Sequence, residues 1–568
     1  MRKGMRLQWV IVLLVGISIA LVWANTGSEA EEPLPPLLTG SVFDRQEQPV
    51  VDAEVTLRSP GESEPLAEAR TQPDGRYALS LPESTPDSLV VHIERVHFSE
   101  IDIELSPEAV QALRAGQSVV LPDTNLPRQV NAAFWVATLI FVGMLVLIAT
   151  GKLHNTLAAL LGASLVFAVS YLGHPISENL FIFGFETSLT YVDWNVIFLI
   201  MGMMIVIAVV ERTGIFQWMA YQAYRLSRGH LWLLLPILMV VTGVASAFLD
   251  NVTTMLLMTP ITIQIAMAMG ANPLALLLPA VMASNVVGIS TLIGTPTNIL
   301  IGSYAGITFN DFLVNLTPGV LLALVGLILY SEFIYRKQLL GSSSGGISSV
   351  LLEKLAERGR ITEPDHLKKA AVVGAGMLIL FVIGEQIHLL PAVTAIIGAT
   401  ALMVWIRPDI EEMIEAVDWT TLMFFICLFI VVGAIQEVGL ISLIAELIGR
   451  IVGDNLFVAM MVVTWFSAVL STVVANIPFT AAMLPVVGYL TATIPGAENM
   501  ALFYGLSVGS AMGGNGSLIG ASANMVTAGI AERAGHPISY VHFLRKGFPA
   551  LLITVALASI WLVVRFLL

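Results

Sequence analysis

Cysteine and charged residues are scarce in this sequence, and each shortage excludes a class of protein. The 568 residues include one cysteine, Cys427, so a single chain cannot form a disulfide or a cysteine-based zinc or iron–sulfur site. Charged residues make up 12% of the chain, about half the share in a typical soluble domain. No basic stretch suits nucleic-acid binding, and no nucleophile–base pair or metal cluster stands out. The sequence therefore argues against an enzyme, a cofactor and a nucleic-acid partner.

Hydrophobic residues, by contrast, make up 56% of the chain. Long apolar segments recur from residue 133 to the C-terminus, and each of them is of a length that suits a lipid bilayer. They lie at 133–149, 155–173, 191–210, from 231 onward, 318–335, 370–386, 388–406, 419–436, 456–475 and 548–566. We predict an all-α polytopic membrane protein.

The net charge of −14 is concentrated in one segment. Residues 31–125 contain 18 Asp and Glu, six Arg and no Lys. The remainder of the chain is close to neutral. An acidic soluble module is therefore attached to a nearly neutral membrane domain.

The first 24 residues have the pattern of a signal peptide or an uncleaved signal anchor. Three cations within Met1–Arg6 precede the largely apolar stretch Leu7–Ala24, which ends in a small residue. Both interpretations place the segment that follows outside the cytoplasm.

Within the module 31–125, residues 38–105 show short alternating apolar runs separated by turn signals such as Gln72-Pro-Asp-Gly75. This pattern predicts a small extracytoplasmic β-sandwich. Its Gly40-x-Val-x-Asp44 and Asp74-Gly-Arg-Tyr77 motifs resemble the carboxypeptidase regulatory-like modules. His92 and His97 have no obvious partners nearby, and we expect them on or near the surface. A folding or docking role fits this module best.

The membrane domain is an internal duplication. Val192-Asp-Trp194 recurs as Val417-Asp-Trp419, 225 positions later, and Asn251 recurs in the same way as Asn476. Two glycine-rich stretches, 288–298 and 513–524, follow at an offset of 226. We therefore expect two membrane repeats, 130–335 and 370–568, joined by a linker over 336–369.

Charge asymmetry predicts that the two repeats are inverted. The linker holds seven Lys and Arg and should be cytoplasmic by the positive-inside rule. The loop 302–318 has no Lys or Arg, whereas its counterpart 528–549 has three. Asp193 would then begin its span outside and Asp418 inside. We expect a multi-pass protein of the plasma (inner) membrane.

The paired glycine-rich stretches predict broken helices at membrane depth, because irregular backbone survives there only when it is buried in protein or lines a cavity. Such paired breaks point to a transporter's binding site. Exposed N–H groups there favour anions and carbonyl groups favour Na⁺, for which Asn298 and Asn524 are candidates. The candidate binding residues are Asp250, Asn251, Thr254, Thr295, Asn298, Asn476, Asn515, Ser517, Ser522 and Asn524.

Asp250 is the one charged residue between His230 and Asn310. A carboxylate in an apolar segment costs roughly 3 kcal/mol on insertion scales, so it usually faces a cavity. Burial favours its protonated form, which suits exchange of a proton for a cation. The alternative is a helix N-cap, and both roles are compatible. Its repeat partner is Ala475, so the charge chemistry is one-sided.

Three other acids give weaker signals. Asp193 and Asp418 precede tryptophans at span entrances and fit interfacial caps. Glu211 ends a span on the inferred cytoplasmic side, where it is solvated or serves as a gate.

Two motifs, Phe248-Leu-Asp-Asn-Val-Thr-Thr254 and the glycine-rich stretch 513–524, resemble the ion-transporter superfamily. The resemblance is to its arsenite pumps, D-type sodium/proton antiporters and melanosomal P protein group, which have a citrate-transporter-like domain. It implies two inverted repeats with re-entrant hairpins and broken helices at a central site, and often a homodimer. The Ser-Asn-Thr signature of the related divalent-anion symporters is missing, since Thr297-Asn-Ile299 and Ala523-Asn-Met525 stand there. This departure weighs against dicarboxylate transport.

We therefore predict a secondary active transporter of a small inorganic ion coupled to H⁺ or Na⁺, and first a cation/proton antiporter. One alternative is a transporter of arsenite or another anion, because neutral As(OH)₃ needs only hydroxyls and amides. Another is a passive anion channel or a β-domain sensor anchored by the membrane part.

Overall fold

The structure is a computed structural model that describes residues 37–44, 49–60, 64–80, 86–341, 357 and 359–568. Contacts divide the chain into two compact units, Met1–Gln129 and Val130–Leu568, called here the β-unit and the membrane unit. The predicted signal segment 1–24 lies outside the described residues, and so does much of the linker.

The β-unit contains two small sheets and one helix, α1 (Pro107–Arg114). One sheet has the order β4-β1-β7, with β8 also paired to β1, and the other has the order β3-β2-β5-β6. The strands are β1 Leu37–Phe43, β2 Glu54–Arg58, β3 Ala67–Arg70, β4 Arg76–Ser80, β5 Val90–Glu94, β6 Ile101–Glu104, β7 Val119–Val120 and β8 Thr124–Asn125. The predicted N-terminal β-sandwich is confirmed.

Alternation builds the core of this unit, because successive side chains of a strand point to opposite faces. In β1, Leu38 and Val42 are fully buried. Gly40 lies between them under Tyr77, and a Cβ added to Gly40 would stand 2.6 Å from the Tyr77 hydroxyl. The aromatic ring thus takes the place of a side chain at position 40.

The expectation that His92 and His97 lie near the surface is wrong. They are 8% and 4% exposed. His92 pairs across strands with Asp102, and its Nδ1 lies 2.7 Å from an Asp102 carboxylate oxygen. This partner comes from the register of β5 and β6, which local sequence does not reveal.

The membrane unit consists of twenty α-helices among the described residues. The first half contains α2 Ala132–Thr150, α3 Asn155–Ala168, α4 Phe185–Thr190, α5 Trp194–Arg212, α6 Ile215–Leu226, α7 Leu231–Phe248, α8 Asn251–Ala268, α9 Leu274–Val287, α10 Pro296–Ala305 and α11 Phe309–Gly341. The second half contains α12 Pro364–Ile383, α13 Pro391–Ile406, α14 Ile410–Glu415, α15 Trp419–Glu437, α16 Leu440–Val452, α17 Leu456–Leu470, α18 Asn476–Thr493, α19 Ala501–Gly513, α20 Ser522–Arg533 and α21 Tyr540–Phe566.

Nine helices among the described residues are long and apolar enough to cross a membrane. Three further apolar helices are shorter: Leu274–Ser290, Pro391–Ile406 and Leu456–Leu470. These segments confirm the predicted multi-pass, all-α membrane domain.

The two halves correspond helix by helix. Asp193 and Asp418 cap the equivalent helices α5 and α15, which are 19 residues long in each half. The two helix interruptions also correspond, because α9 and α10 are separated at the first glycine-rich stretch and α19 and α20 at the second. The duplication inferred from sequence is therefore present in the fold.

Contacts at the ends of α5 and α15 show that these equivalent helices are antiparallel. The Tyr191 hydroxyl, just before α5, donates a hydrogen bond to Glu437 at the end of α15. At the opposite end, Arg212 closes α5 and forms a 2.6 Å ion pair with Glu412, which precedes α15. The repeats are therefore inverted, as predicted.

Hydrogen bonds to α12, the helix that follows the linker, distinguish the two ends of the membrane unit. The Thr362 hydroxyl, next to α12, donates to the Arg212 carbonyl at the end of α5 (2.8 Å). We call this end the linker side. On the far side, the Asn310 amide at the start of α11 donates to the Val382 carbonyl near the end of α12 (2.7 Å).

Inversion predicts opposite labelling of two equivalent tryptophan positions. Trp194 and Trp419 are 45% and 54% exposed, and the native Cys427 is buried. A membrane-impermeant maleimide added to intact cells should label Trp194→Cys, and it should label Trp419→Cys only after the cells are permeabilised. Equal labelling of both variants from one side would contradict the inversion.

Tyr77 predicts a pH-dependent stability of the β-unit. Burial raises the pKa of Tyr77 to about 12, whereas an unfolded tyrosine titrates near 10. Because Tyr77 keeps its proton to a higher pH in the folded state than in the unfolded state, the free energy of unfolding of the β-unit should fall by on the order of 2 kcal/mol as the pH rises from about 10 to about 12.

Tyr77 is the one tyrosine between residues 31 and 129, so tyrosinate absorbance of that segment reports its titration directly. Urea unfolding at both pH values measures the stability, with Tyr77→Phe as the control that should lose this pH dependence. A midpoint near 10 in the folded segment would contradict the buried environment.

Candidate functional site

The site is built from two hairpins and two helix breaks. The α7–α8 hairpin turns at Leu249 and Asp250, and its counterpart α17–α18 turns over residues 471–475. Each hairpin tip is held by a hydroxyl of the break in its own half. Thr291 donates to the Ala247 carbonyl, and Ser517 donates to the Thr472 carbonyl (2.5 Å). The same hydrogen bond is thus made twice, at equivalent positions.

Glycine at the breaks allows this close approach. A Cβ on Gly294 would lie 2.6 Å from the Ser246 carbonyl oxygen, and one on Gly520 would lie 2.8 Å from the Ser471 carbonyl oxygen. Real Cβ atoms do not approach backbone so closely, so any other residue would push the hairpin away from the break.

The predicted ligands Asn298 and Asn524 hold the break loops together. The Asn298 amide donates to the carbonyls of Ile289 (2.9 Å) and Thr291 (2.8 Å), and its oxygen accepts from Ser507 (2.6 Å). The Asn524 amide likewise donates to the carbonyls of Gly514 and Ser517. Both N–H donors of each amide are therefore engaged within the protein.

Four asparagines form a buried network that joins the two halves. Asn251 donates to Asn285 (2.8 Å), and Asn285 donates to Asn515 (2.9 Å) and to Asn524 (3.1 Å). Asn285 is the hub, and sequence reasoning missed it. Its repeat counterpart is Ala511, so the duplication gives no signal, although Asn285 is the one amide side chain in the apolar helix α9.

The remaining predicted binding residues lie at the helix breaks and near the hairpin tips. Thr295 caps α10, and Ser522 begins α20. The Asn476 backbone N–H donates to the Gly520 carbonyl (3.2 Å). The Thr254 hydroxyl is buried and has no hydrogen-bond partner among the described residues.

A cavity of about 570 Å³ extends from the linker side to the hairpin tips. Glu211 and Asp418 lie at its linker end, and Asp250 and Ala475 lie at the tips. Its other polar lining residues are His154, Asn155, Thr156, Thr253, Thr420, Thr421 and Ser522. Within the described part of the chain, no lysine or arginine lines this cavity.

Asp250 is both a helix cap and a cavity residue, so the two roles considered from sequence coexist. One carboxylate oxygen accepts the Thr253 N–H (2.9 Å), and the other accepts the Thr253 hydroxyl (2.5 Å). No arginine or lysine pairs with it among the described residues. The carboxylate is thus fixed in place and still available to a proton or a cation.

Asp418 and Glu211 share the chamber with Asp250. Asp418 is the expected cap, because it accepts the Thr421 N–H (3.1 Å) and hydroxyl (2.5 Å). Both acids are exposed, as solvated groups should be. Sequence did not reveal that they lie along one cavity with Asp250, because that arrangement arises from the antiparallel packing of α5 and α15.

Four helix N-termini meet at the inner end of the cavity, those of α8, α10, α18 and α20. Asp250 and Thr295 cap the first two with side chains, whereas α18 and α20 have no side-chain cap. Helix N-termini carry partial positive charge. The first turns of these second-half helices therefore lack a side-chain cap in the same chamber, although in α18 the Asn476 N–H donates to the Gly520 carbonyl and Pro478 has no N–H.

A smaller cavity of about 350 Å³ lies on the far side at equivalent positions. Asn195, Val196 and Leu199 line it, and their repeat counterparts Thr420, Thr421 and Phe424 line the linker-side cavity. The inverted repeats thus form one cavity toward each side. Only the linker-side cavity contains Asp250.

Comparison with known proteins shows the family of this chain. Residues 145–506 match the citrate transporter (CitMHS) family. The chain belongs to this family. It is 37% identical over 433 residues to an uncharacterized transporter of Mycobacterium tuberculosis, covering 76% of this chain and 98% of that protein.

It is also 31% identical over 543 residues to the human P protein, covering 82% of this chain and 63% of that protein. The YdaH transporter of Alcanivorax borkumensis has a similar structure, with a TM-score of 0.48 and 13% identity over 76% of this chain and 98% of that chain. The resemblance seen in the two sequence motifs is confirmed at the level of the family. The chain is a membrane transporter of this family.

Removing the hub of the asparagine network should destabilise the membrane unit. Asn285→Ala deletes three hydrogen bonds and leaves buried amides unpaired, each costing about 1–3 kcal/mol. Thermal unfolding in detergent, followed by size-exclusion chromatography, should show a clear fall in the melting temperature. Ser522→Ala, at the cavity wall, is the control and should melt like the wild type. An unchanged melting temperature for Asn285→Ala would contradict the role of the hub.

Proposed function

We propose that this transporter exchanges a small monovalent cation, Na⁺ or Li⁺, for protons, with Asp250 as the coupling carboxylate. It works in the plasma (inner) membrane, with the linker side facing the cytoplasm and the β-unit on the extracytoplasmic side. The observation that carries the proposal is the Asp250 carboxylate at the inner end of a cavity that no lysine or arginine of the described residues lines.

Electrostatics along the cavity supports a cation. Asp418 and Glu211 at the entrance and Asp250 at the tips form one acidic path, and such a path raises the local concentration of cations. Among the described lining residues, a free tricarboxylate would meet three carboxylates and no lysine or arginine. The family's description as citrate transporters therefore does not by itself assign citrate to this chain.

The chemistry at Asp250 follows from its hydrogen bonds. Thr253 donates to both carboxylate oxygens and fixes their orientation. A carboxylate oxygen can hold a proton or be a ligand of a hard cation such as Na⁺, but it does not hold both on the same lone pair. Competition between proton and cation for one group couples the two ions when the site opens to each side of the membrane in turn.

A second candidate is transport of an oxyanion or of neutral arsenite. The observation that favours it is the pair of uncapped N-termini, of α18 and α20, at the inner end of the cavity. Backbone N–H groups at helix N-termini bind anions, and a neutral trihydroxide could use the same donors.

Replacement of the coupling carboxylate should abolish the exchange. In inside-out vesicles with an interior-acid pH gradient, Na⁺ or Li⁺ should dissipate the gradient with the wild type, and a quenched dye reports this. Asp250→Asn should fall to the background of empty vesicles, because an amide cannot be protonated or carry the charge. Asp193→Asn is the matched control, since Asp193 also caps a helix but does not line the cavity.

Several outcomes would decide against the proposal. Full exchange by Asp250→Asn would remove Asp250 as the coupling group. A wild type that ignores every cation but responds to arsenite or small anions would favour the second candidate.

A further inference from the structure

The two hairpin tips present equivalent positions to one chamber. Asp250 and Ala475 are repeat partners, each is the N-cap of its helix, and both line the linker-side cavity. The duplicated fold therefore has room for two carboxylates at its centre and carries one. The second position bears a methyl group.

The side chains nearest the tips add no further charge. Those that line the inner end beside Asp250 and Ala475 are neutral: Val252, Thr253, Pro296, Ile477, Pro478 and Ser522. Glu211 and Asp418 line the same cavity toward its linker end, and the charge of Asp418 reaches Asp250. Both are exposed, and Asp418 is held by Thr421. Because both face solvent, neither needs the transported cation to neutralise it.

We infer that the Asp250 carboxylate compensates one positive charge in each transport step. One monovalent cation then exchanges for one proton, and no net charge crosses the membrane. This inference rests on the proposed cation/proton exchange. Crossing the membrane with an uncompensated charge is costly. A single carboxylate is neutral when it holds one proton and neutral again when it holds one Na⁺. Ala475 supplies no second acid, so a second positive charge would cross uncompensated.

A null-point measurement tests the stoichiometry. The full-length protein is reconstituted in proteoliposomes with a trapped pH dye, Na⁺ gradients are set against a fixed pH gradient, and the membrane potential is clamped with K⁺ and valinomycin. The null point is the pair of gradients at which the dye shows no net proton flux. It should occur where the Na⁺ concentration ratio across the membrane equals the proton concentration ratio, at every clamped potential. Movement of one net charge per cycle would instead shift the null ratio about 50-fold per 100 mV.

The possible results distinguish a failure of electroneutral exchange from a failure of cation/proton exchange. A null that moves with voltage overturns electroneutral exchange and leaves cation/proton exchange standing. No response to Na⁺ or Li⁺ at any gradient overturns the proposed exchange, and this inference with it.

Ala475→Asp tests whether the residue at this hairpin tip determines how many protons exchange for one cation. Aspartate is a preferred N-cap residue, and Ala475 gives its helix no side-chain cap, so the variant should fold. With two carboxylates around one cation, two protons should exchange for one Na⁺, and the null should become voltage-dependent. Ala475→Asn is the control and should keep the wild-type null.

A voltage-independent null in a folded Ala475→Asp protein would overturn the assignment of charge number to this position. If that variant does not fold, the wild-type null point decides alone.

Discussion

Backbone N–H and C=O groups must find partners at membrane depth, and most of the centre of this protein follows from that constraint. Each half interrupts helices twice there, at a hairpin tip and at a break. Hydrogen bonds between the break and the hairpin tip supply partners for these backbone groups. Thr291 donates to the Ala247 carbonyl in one half, and Ser517 donates to the Thr472 carbonyl in the other. Gly294 and Gly520 permit this approach, because a Cβ at either position would overlap a carbonyl of the hairpin.

The same requirement decides which polar side chains remain available for transport. Asn298 and Asn524 use both of their N–H donors to hold the break loops, and Asn285 ties the halves together. What is left facing the inner end of the cavity is a carboxylate at one tip and hydroxyls around it, while Glu211 and Asp418 face the cavity toward the linker side. The exchange proposed here therefore depends on Asp250, which the scaffold orients through Thr253 and leaves without a lysine or arginine partner among the described residues.

Sequence predicted the large features well, because they have regular signatures. Spans follow from apolar length, the duplication from a constant offset, and inversion from the cations of the linker, and the antiparallel ends of α5 and α15 agree. Asn285 escaped prediction because a lone amide in an apolar helix has no period or repeat partner. His92 was misplaced because its partner Asp102 is set by strand register. The shared chamber of Asp250 and Asp418 arises from tertiary packing, which local pattern does not encode.

The central claim is that protons and cations compete for Asp250, and a measurement without any membrane tests it most directly. Na⁺ or Li⁺ is added to the purified protein in weakly buffered detergent solution, and proton release is followed with a pH indicator. The account predicts release of about one proton per chain at saturating cation, and none from Asp250→Asn. Equal release from both proteins, or no release from the wild type over the pH range in which it transports, would contradict it.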